Sequence, residues 1–217
     1  MTDFATRRTM MVDTQVRPSD VTKFPIIDVM LNIAREDFVP AAMREASYLG
    51  ENLNIGPNRV ILEPRTLSKM LDALDVSNDD LILDVAANYG YSSAVMAHIA
   101  EAVVAVEEDE AMSQEAQEAL SAAGIDNVAV HVAPLVEGAP QHGPYDVIIL
   151  QGGVAEIPGA LLDQLKEGGR IAAIFMDGPL GEVRIGLKQE GRVTWRLAFN
   201  AGAPILPGFA RALNFTL

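Results

Sequence analysis

The stretch LILDVAANYGYSSAVMAHIAEAVVAVE, residues 81–107, decides the fold. It opens on an apolar run with one aspartate at residues 81–85, which predicts a buried strand. Residues 92–100 have the pattern of a helix, and residues 102–106 form a second apolar run. Apolar strands that alternate with helices are typical of a parallel sheet covered on both faces. We therefore predict an α/β domain with a Rossmann-like, doubly wound sheet.

The chain beyond residue 107 continues this alternation. Strands are predicted at residues 128–132, 145–150 and 170–175, and helices at residues 110–123 and 157–165, with glycines just beyond both helices. Residues 182–187 and 193–199 flank a turn at Glu190-Gly191. This spacing indicates an antiparallel hairpin at one edge of a mostly parallel sheet.

The first 76 residues follow a different pattern, with short helical segments between proline-containing loops. Helices are predicted at residues 4–16, 25–33, 41–46 and 66–74, whereas residues 49–64 carry few regular signals. We expect a single domain over residues 1–217, with a helical extension and a loop region at 1–76 and an α/β body at 77–217. Because isolated short helices are marginal in water, the extension should pack on the body.

The composition excludes several classes of function. The 217 residues include no cysteine, which excludes disulfides and thiolate chemistry, and the three histidines have no metal-ligand spacing, so we expect no metal. The formal net charge of −14 disfavours nucleic acid as a partner. No apolar run approaches the ~20 residues of a membrane helix. Charged residues stand where a signal peptide would be apolar, so we expect a soluble cytoplasmic protein.

Two strand ends carry the residues that favour a ligand site. Ligands of doubly wound sheets bind beyond the carboxyl ends of the strands. The first strand of the body ends near Asp84 and continues into a turn of small residues, which lets backbone approach a ligand. The second strand ends at Glu107, whose carboxylate can accept hydrogen bonds from both hydroxyls of a ribose. The pattern suits an adenosine-type ligand, although a complete Gly-x-Gly-x-x-Gly is missing.

Each of these residues also has a structural interpretation. Asp84 could cap a helix, and Ala86 and Ala87 could be close-packing residues of any α/β turn. Glu107 opens the acidic run at 107–110, which could be a solvated helix start. The pattern alone leaves both interpretations open.

Several segments form an ordered set of motifs along the chain. They are MMVDTQVR at 10–17, REDFVP at 35–40 and GENLNIG at 50–56, then LDV at 83–85 and VVAVE at 103–107, and finally the block GPYDVII at 143–149, EIP at 156–158 and LLDQLKEGGR at 161–170. In this order the segments resemble the protein-L-isoaspartate O-methyltransferases. LDV and VVAVE are similar to the two cofactor motifs of that family, and the last block is the strongest match.

The resemblance implies a class I methyltransferase fold and S-adenosyl-L-methionine as the cofactor. It also implies an enzyme that methylates the free α-carboxylate of an isoaspartyl residue in a protein or peptide, which allows repair. The implied cofactor-binding positions are Asp84, Ala86, Asn88, Gly90, Glu107 and Gln151. The implied acceptor-loop, or catalytic, positions are Arg59, Val60 and Leu62.

The sequence departs from the family at both parts of this site. The usual Gly-x-Gly-x-Gly turn is Ala86, Asn88 and Gly90 here, and asparagine tolerates a left-handed backbone better than most residues. The usual acceptor loop Gly-His-Gly-Gln-Thr-Ile-Ser-Gln-Pro aligns with GPNRVILEP at 56–64, so Val60 and Leu62 replace hydroxyl donors. The acid that follows the third strand in the family is replaced near Ala133-Pro134.

Arg59 is the one positively charged side chain that this loop adds. It is either a replacement ligand for the acceptor carboxylate or a surface arginine on a loop. Because Val60 and Leu62 cannot donate hydrogen bonds, we expect activity on ordinary isoaspartyl peptides to be weak or absent. The alternatives are a divergent methyltransferase with another acceptor and a non-catalytic relative that acts as a binding module. The oligomeric state is left open.

Overall fold

The computed structural model describes residues 3–178 and 180–211. Its α-helices are α1 (Phe4–Met11), α2 (Phe24–Asn32), α3 (Pro64–Leu74), α4 (Tyr91–Ala97), α5 (Glu110–Ala122) and α6 (Gly159–Leu162). Its strands are β1 (Leu53–Gly56), β2 (Arg59–Ile61), β3 (Leu81–Val85), β4 (Ala102–Glu107), β5 (Val128–Val132), β6 (Tyr145–Val154), β7 (Leu165–Phe175), β8 (Glu182–Gln189) and β9 (Arg192–Asn200).

The main sheet has seven strands in the order β5-β4-β3-β6-β7-β8-β9. The five strands from β5 to β7 are parallel, and β8 and β9 add an antiparallel hairpin at the edge beside β7. The chain winds outward from β3 to β5 and returns to pair β6 on the other side of β3. The predicted doubly wound, mostly parallel sheet and its C-terminal hairpin are therefore confirmed, and the switch in winding direction lies between β3 and β6.

Alternate side chains of the central strands enter two separate cores. Ile82, Val103 and Ile149 pack in one core with residues of α2, α3 and α4. Leu83 and Val104 pack in the other, which is closed by α6, the 3-10 turn Leu135–Glu137 and residues near the C-terminus. Both sets are buried, which explains why these strands read as continuous apolar runs.

The N-terminal extension shares the first of these cores. Met30 and Phe38 are 0% and 1% exposed and belong to the same cluster as residues of the sheet. The predicted first helix is α-helical only as α1, after which Val12–Val16 widens to a π-helix. The continuous core supports the single-domain organisation, which we keep as a proposal.

One local prediction is wrong, and one segment for which no element was predicted forms a hairpin. The helix predicted at residues 157–165 is reduced to the four residues of α6, because Pro158 starts it late and the chain already pairs with β6 at Gln164. Residues 49–64, which carried few regular signals, form the hairpin of β1 and β2. Asn58 makes its turn possible by adopting a φ of 57°.

Candidate functional site

The predicted cofactor residues meet at the carboxyl ends of β3, β4 and β6. The turn after β3 holds positive φ angles of 64° at Ala86, 56° at Asn88 and 90° at Gly90. The three positions where the family usually has glycine thus keep the left-handed backbone, although two of them carry a side chain. The N–H groups of Ala86 and Ala87 both donate to the carbonyl of Val106, at 3.0 and 3.2 Å, and so tie the turn to the end of β4.

Asp84 lies at the centre of a buried polar cluster. Its Oδ2 accepts from the hydroxyls of Ser92 and Ser93 on α4, both at 2.6 Å, and its Oδ1 accepts from Nε2 of Gln151 at 2.8 Å. Burial raises the pKa of Asp84 to about 6, while these three donors oppose the rise. The contacts join Asp84 to Gln151, so the structure brings these two predicted residues together.

Glu107 is fully buried and its carboxylate is saturated with donors. Oε1 accepts from the backbone N–H groups of Glu108 and Asp109, at 2.9 and 3.1 Å, and Oε2 from that of Asn88 at 3.0 Å. The acidic run at 107–110 is therefore not uniformly solvated. The backbone folds around its first member, which is the residue predicted to receive the ribose.

The remaining donor to Glu107 is Arg59, from the first residue of β2. Its Nη1 lies 2.8 Å from Oε1 and its Nη2 also bonds Oε2, so the guanidinium grips both carboxylate oxygens. Nη2 donates in addition to Oδ1 of Asn88 at 2.9 Å. Arg59 is 6% exposed, so the interpretation as a surface arginine is wrong. Its carboxylate partner is the chain's own Glu107.

Val60 and Leu62, the other two predicted acceptor-loop residues, face the interior. They are 5% and 2% exposed and belong to the core that contains α3 and α4. Asn88 donates its Nδ2 to the carbonyl of Val60 at 3.1 Å. Asn88 and Arg59 together thus hold the acceptor loop against the turn after β3.

Arg35 is a buried residue of this region that sequence reasoning missed. Its guanidinium is 0% exposed and donates to the carbonyls of Ser47 and Leu62, at 2.7 and 2.8 Å. Its Cζ lies 4.6 Å from the centre of the Tyr91 ring at the start of α4. Arg35 therefore fixes the backbone of the acceptor loop against α4.

Ser92 and Ser93, which hold Asp84, were also missed. The available signal was a pair of serines directly after the turn, where the first residues of a helix point back toward the end of the preceding strand. The roles predicted for the site residues remain predictions. What the structure adds is their positions and partners.

The fold and these strand ends define a Rossmann-like domain of the methyltransferase type. A solved protein-L-isoaspartate O-methyltransferase superimposes with a TM-score of 0.80 at 22% identity, over 93% of this chain and 66% of that chain. A structure from Plasmodium falciparum assigned to the same enzyme, in complex with S-adenosyl-L-homocysteine, gives a TM-score of 0.78 at 16% identity, over 95% of this chain and 99% of that chain. At these identities the likeness shows the fold.

Sequence comparison identifies the family. The model for protein-L-isoaspartate(D-aspartate) O-methyltransferase matches residues 7–182. A protein-L-isoaspartate O-methyltransferase of Roseiflexus sp. (strain RS-1) is 31% identical over 96% of this chain and 95% of its own length. One of Syntrophus aciditrophicus (strain SB) is 33% identical over 79% of this chain and 78% of its own length. The chain belongs to the protein-L-isoaspartate O-methyltransferase family. The resemblance inferred from the sequence is confirmed, and with it the enzyme class and the cofactor of the family.

The cavity between the acceptor loop, the turn after β3 and α4 is too small, in the conformation described, for the cofactor of this family. The cavity between the acceptor loop, the turn and α4 measures about 10 Å³ and is lined by Leu62, Ala87, Asn88 and Gln151 among others. Such a volume suits at most one water molecule, whereas pockets for ligands of cofactor size are roughly 300 Å³ or larger. Glu107, which is predicted to receive the ribose, is held by Arg59. The groups expected of the site are thus in place, but side chains of the protein fill the part between the acceptor loop and α4.

Among residues 3–178 and 180–211, no group of three or more histidine, aspartate or glutamate side chains is placed to hold a metal ion. No helix within the same residues is long and apolar enough to cross a membrane.

Proposed function

We propose that this protein is a methyltransferase that uses S-adenosyl-L-methionine to methylate the α-carboxylate of isoaspartyl residues. One observation carries the proposal beyond family membership. The turn after β3 keeps its left-handed backbone at Ala86, Asn88 and Gly90, and it lies against a buried acid, Glu107, at the end of the next strand. An acid so placed is suited to receive the hydroxyls of a ribose.

The acceptor carboxylate needs little activation from the protein. It is ionised at neutral pH, so no general base is required. What the protein must supply is alignment and exclusion of water. Arg35 serves the first need by holding the carbonyl of Leu62, and the buried side chains of Val60 and Leu62 serve the second.

The same two apolar side chains limit the expected rate. Neither can donate a hydrogen bond to a carboxylate that leaves water, and an uncompensated buried carboxylate costs several kcal/mol. A deficit of about 3–4 kcal/mol in the transition state corresponds to a rate roughly a hundred- to a thousandfold lower. We therefore propose slow turnover of isoaspartyl peptides.

A methyl-transfer assay tests the function. Label from methyl-tritiated S-adenosyl-L-methionine is followed onto an isoaspartyl peptide and onto the same peptide with ordinary aspartate. We expect slow, base-labile labelling of the isoaspartyl peptide alone, and faster labelling by the double variant Val60→Thr, Leu62→Ser once circular dichroism shows that it is folded. Equal labelling of both peptides, or none of either by a protein shown to bind cofactor, would contradict the proposed acceptor. Rapid turnover by the unmodified protein would contradict the proposed limit on rate.

We also propose, from the amino-acid composition, a protein or peptide acceptor and a cytoplasmic location. The net charge of −14 supports a protein or peptide acceptor over nucleic acid. The absence of cysteine from the sequence is compatible with a cytoplasmic location.

A further inference from the structure

Arg59 and a ribose need the same acceptors. The two oxygens of Glu107 already receive three backbone N–H groups and two N–H groups of Arg59. Carboxylate oxygens offer about four lone-pair sites in total, so the five donors already present leave no site free. Two ribose hydroxyls can therefore bond Glu107 only by replacing the two N–H groups of the guanidinium.

We propose that Arg59 is a gate on the cofactor site, which occupies Glu107 until the cofactor displaces it and thereby sets the affinity for cofactor. The inference rests on the proposed function, because it assumes that Glu107 receives the ribose. Arg59 lies on β2 and Glu107 at the end of β4, 48 positions apart, so the contact joins the acceptor loop to the cofactor half of the site.

The residue at the second glycine position strengthens the closed state. Asn88 accepts from Nη2 of Arg59 at 2.9 Å and donates to the carbonyl of Val60 at 3.1 Å. A glycine there would have no side chain to make either contact. Asn88, which stands where the family usually has glycine, and Arg59 therefore together hold the acceptor loop against the turn after β3.

The structure also provides a place for the displaced guanidinium. A surface depression of about 390 Å³ is lined by Arg59 itself and by Pro57, Glu108, Asp109 and Met112 among others. Glu108 is 34% exposed at its side chain, and its Oε1 already lies 3.9 Å from Nη1 of Arg59. Rotation of the arginine side chain can exchange the buried carboxylate of Glu107 for the exposed one of Glu108 without moving the β1–β2 hairpin.

Calorimetric titration with S-adenosyl-L-homocysteine tests the gate without any requirement for turnover. Arg59→Met removes the competing guanidinium and should bind the ligand at least tenfold more tightly than the unmodified protein, which corresponds to about 1.4 kcal/mol. Arg59→Lys keeps the charge but cannot form the paired hydrogen bonds of a guanidinium. Its affinity for the ligand should therefore lie between those of the unmodified protein and Arg59→Met. Arg65→Met is the matched control, because Arg65 is 41% exposed at its side chain and contacts Glu63 at 3.6 Å. It should leave the affinity unchanged.

Glu108→Gln tests where the arginine goes. It should weaken ligand binding when Arg59 is present, because the open state loses its ion pair, and it should have no effect in the Arg59→Met background. A thermal melt by circular dichroism confirms that each variant is folded before titration.

The outcomes separate the gate from the proposed function. Affinity of folded Arg59→Met and Arg59→Lys equal to or weaker than that of the unmodified protein overturns the gate, even if isoaspartyl peptides are methylated. Tighter binding by Arg59→Met without methylation of any isoaspartyl peptide supports the gate and removes the proposed acceptor. An equal effect of Glu108→Gln in both backgrounds overturns the role of Glu108 in the open state.

Discussion

Replacing Glu107 by glutamine should destabilise the fold, because the change removes the buried counter-charge of Arg59 and leaves only the partly exposed carboxylate of Glu108, whose Oε1 lies 3.9 Å from Nη1 of Arg59. Glu107 is 0% and Arg59 6% exposed, so solvent reaches neither group well. Glutamine also turns one acceptor oxygen into an amide donor that faces N–H groups, such as that of Asn88. Breaking a buried ion pair by removing one partner costs about 3–5 kcal/mol. Since small domains have roughly 5–15 kcal/mol in total, we expect a folded but clearly weakened protein.

Urea denaturation followed by the fluorescence of Trp195, the single tryptophan, measures this loss. A double-mutant cycle with Arg59→Met isolates the pair, and we expect a coupling free energy of about 2 kcal/mol or more. The control is Asp13→Asn, which breaks the exposed pair of Asp13 with Arg17, where both side chains are more than half exposed. That change should cost about 1 kcal/mol or less. A loss below about 1 kcal/mol for Glu107→Gln, with an unchanged urea slope, would refute the description of Arg59 and Glu107 as a coupled buried pair.

Three further predictions concern stability. Because burial raises the pKa of Asp84 from 3.8 to about 6, the protonated carboxyl favours the fold at low pH and this contribution is lost as the pH rises from about 4 through 6. The free energy of unfolding of Asp84→Asn, measured by urea denaturation, should therefore rise by about 1–2 kcal/mol relative to that of the unmodified protein between pH 4.5 and pH 7.5. A difference between the two proteins that does not vary with pH would argue against the raised pKa. Arg35→Met should lower the free energy of unfolding by about 2–4 kcal/mol in the same assay, because it leaves the carbonyls of Ser47 and Leu62 without their donor. A loss under ~1 kcal/mol would show that these carbonyls find other donors. A truncated chain that begins at residue 76 should fail to unfold cooperatively, because it lacks the residues that the extension contributes to the shared core, and cooperative unfolding of this chain would show that the body folds without the extension.

The sheet could be predicted from the sequence because its central strands are buried on both faces. Residues 81–85 and 102–106 read as apolar runs since each alternate side chain enters one of two cores. The helix at 157–165 could not be predicted correctly in the same way. Its apolar residues pack against the second core, but pairing of the following chain with β6 ends the helix after four residues. That pairing depends on a strand some twenty residues earlier, which local periodicity does not report.

The positions of the site could be predicted, but its central contact could not. Strand ends and motif order identified Asp84 and Glu107, since both follow directly from where a parallel strand stops. The partner of Glu107 lies 48 residues away in sequence. One signal was present: Arg59 is the only charged residue of the stretch NRVIL at 58–62, and a charge beside a buried apolar run needs a partner.

We propose that the carboxylate of Glu107, at the end of β4, binds the ribose of the cofactor and that Arg59 holds this carboxylate when no cofactor is bound. A crystal structure of the unmodified protein at saturating S-adenosyl-L-homocysteine tests this most directly. The account requires the ribose hydroxyls within hydrogen-bond distance of Glu107 and the guanidinium of Arg59 moved toward Glu108. Ligand bound at the ends of β3 and β4 with Arg59 still gripping both oxygens of Glu107 would contradict it.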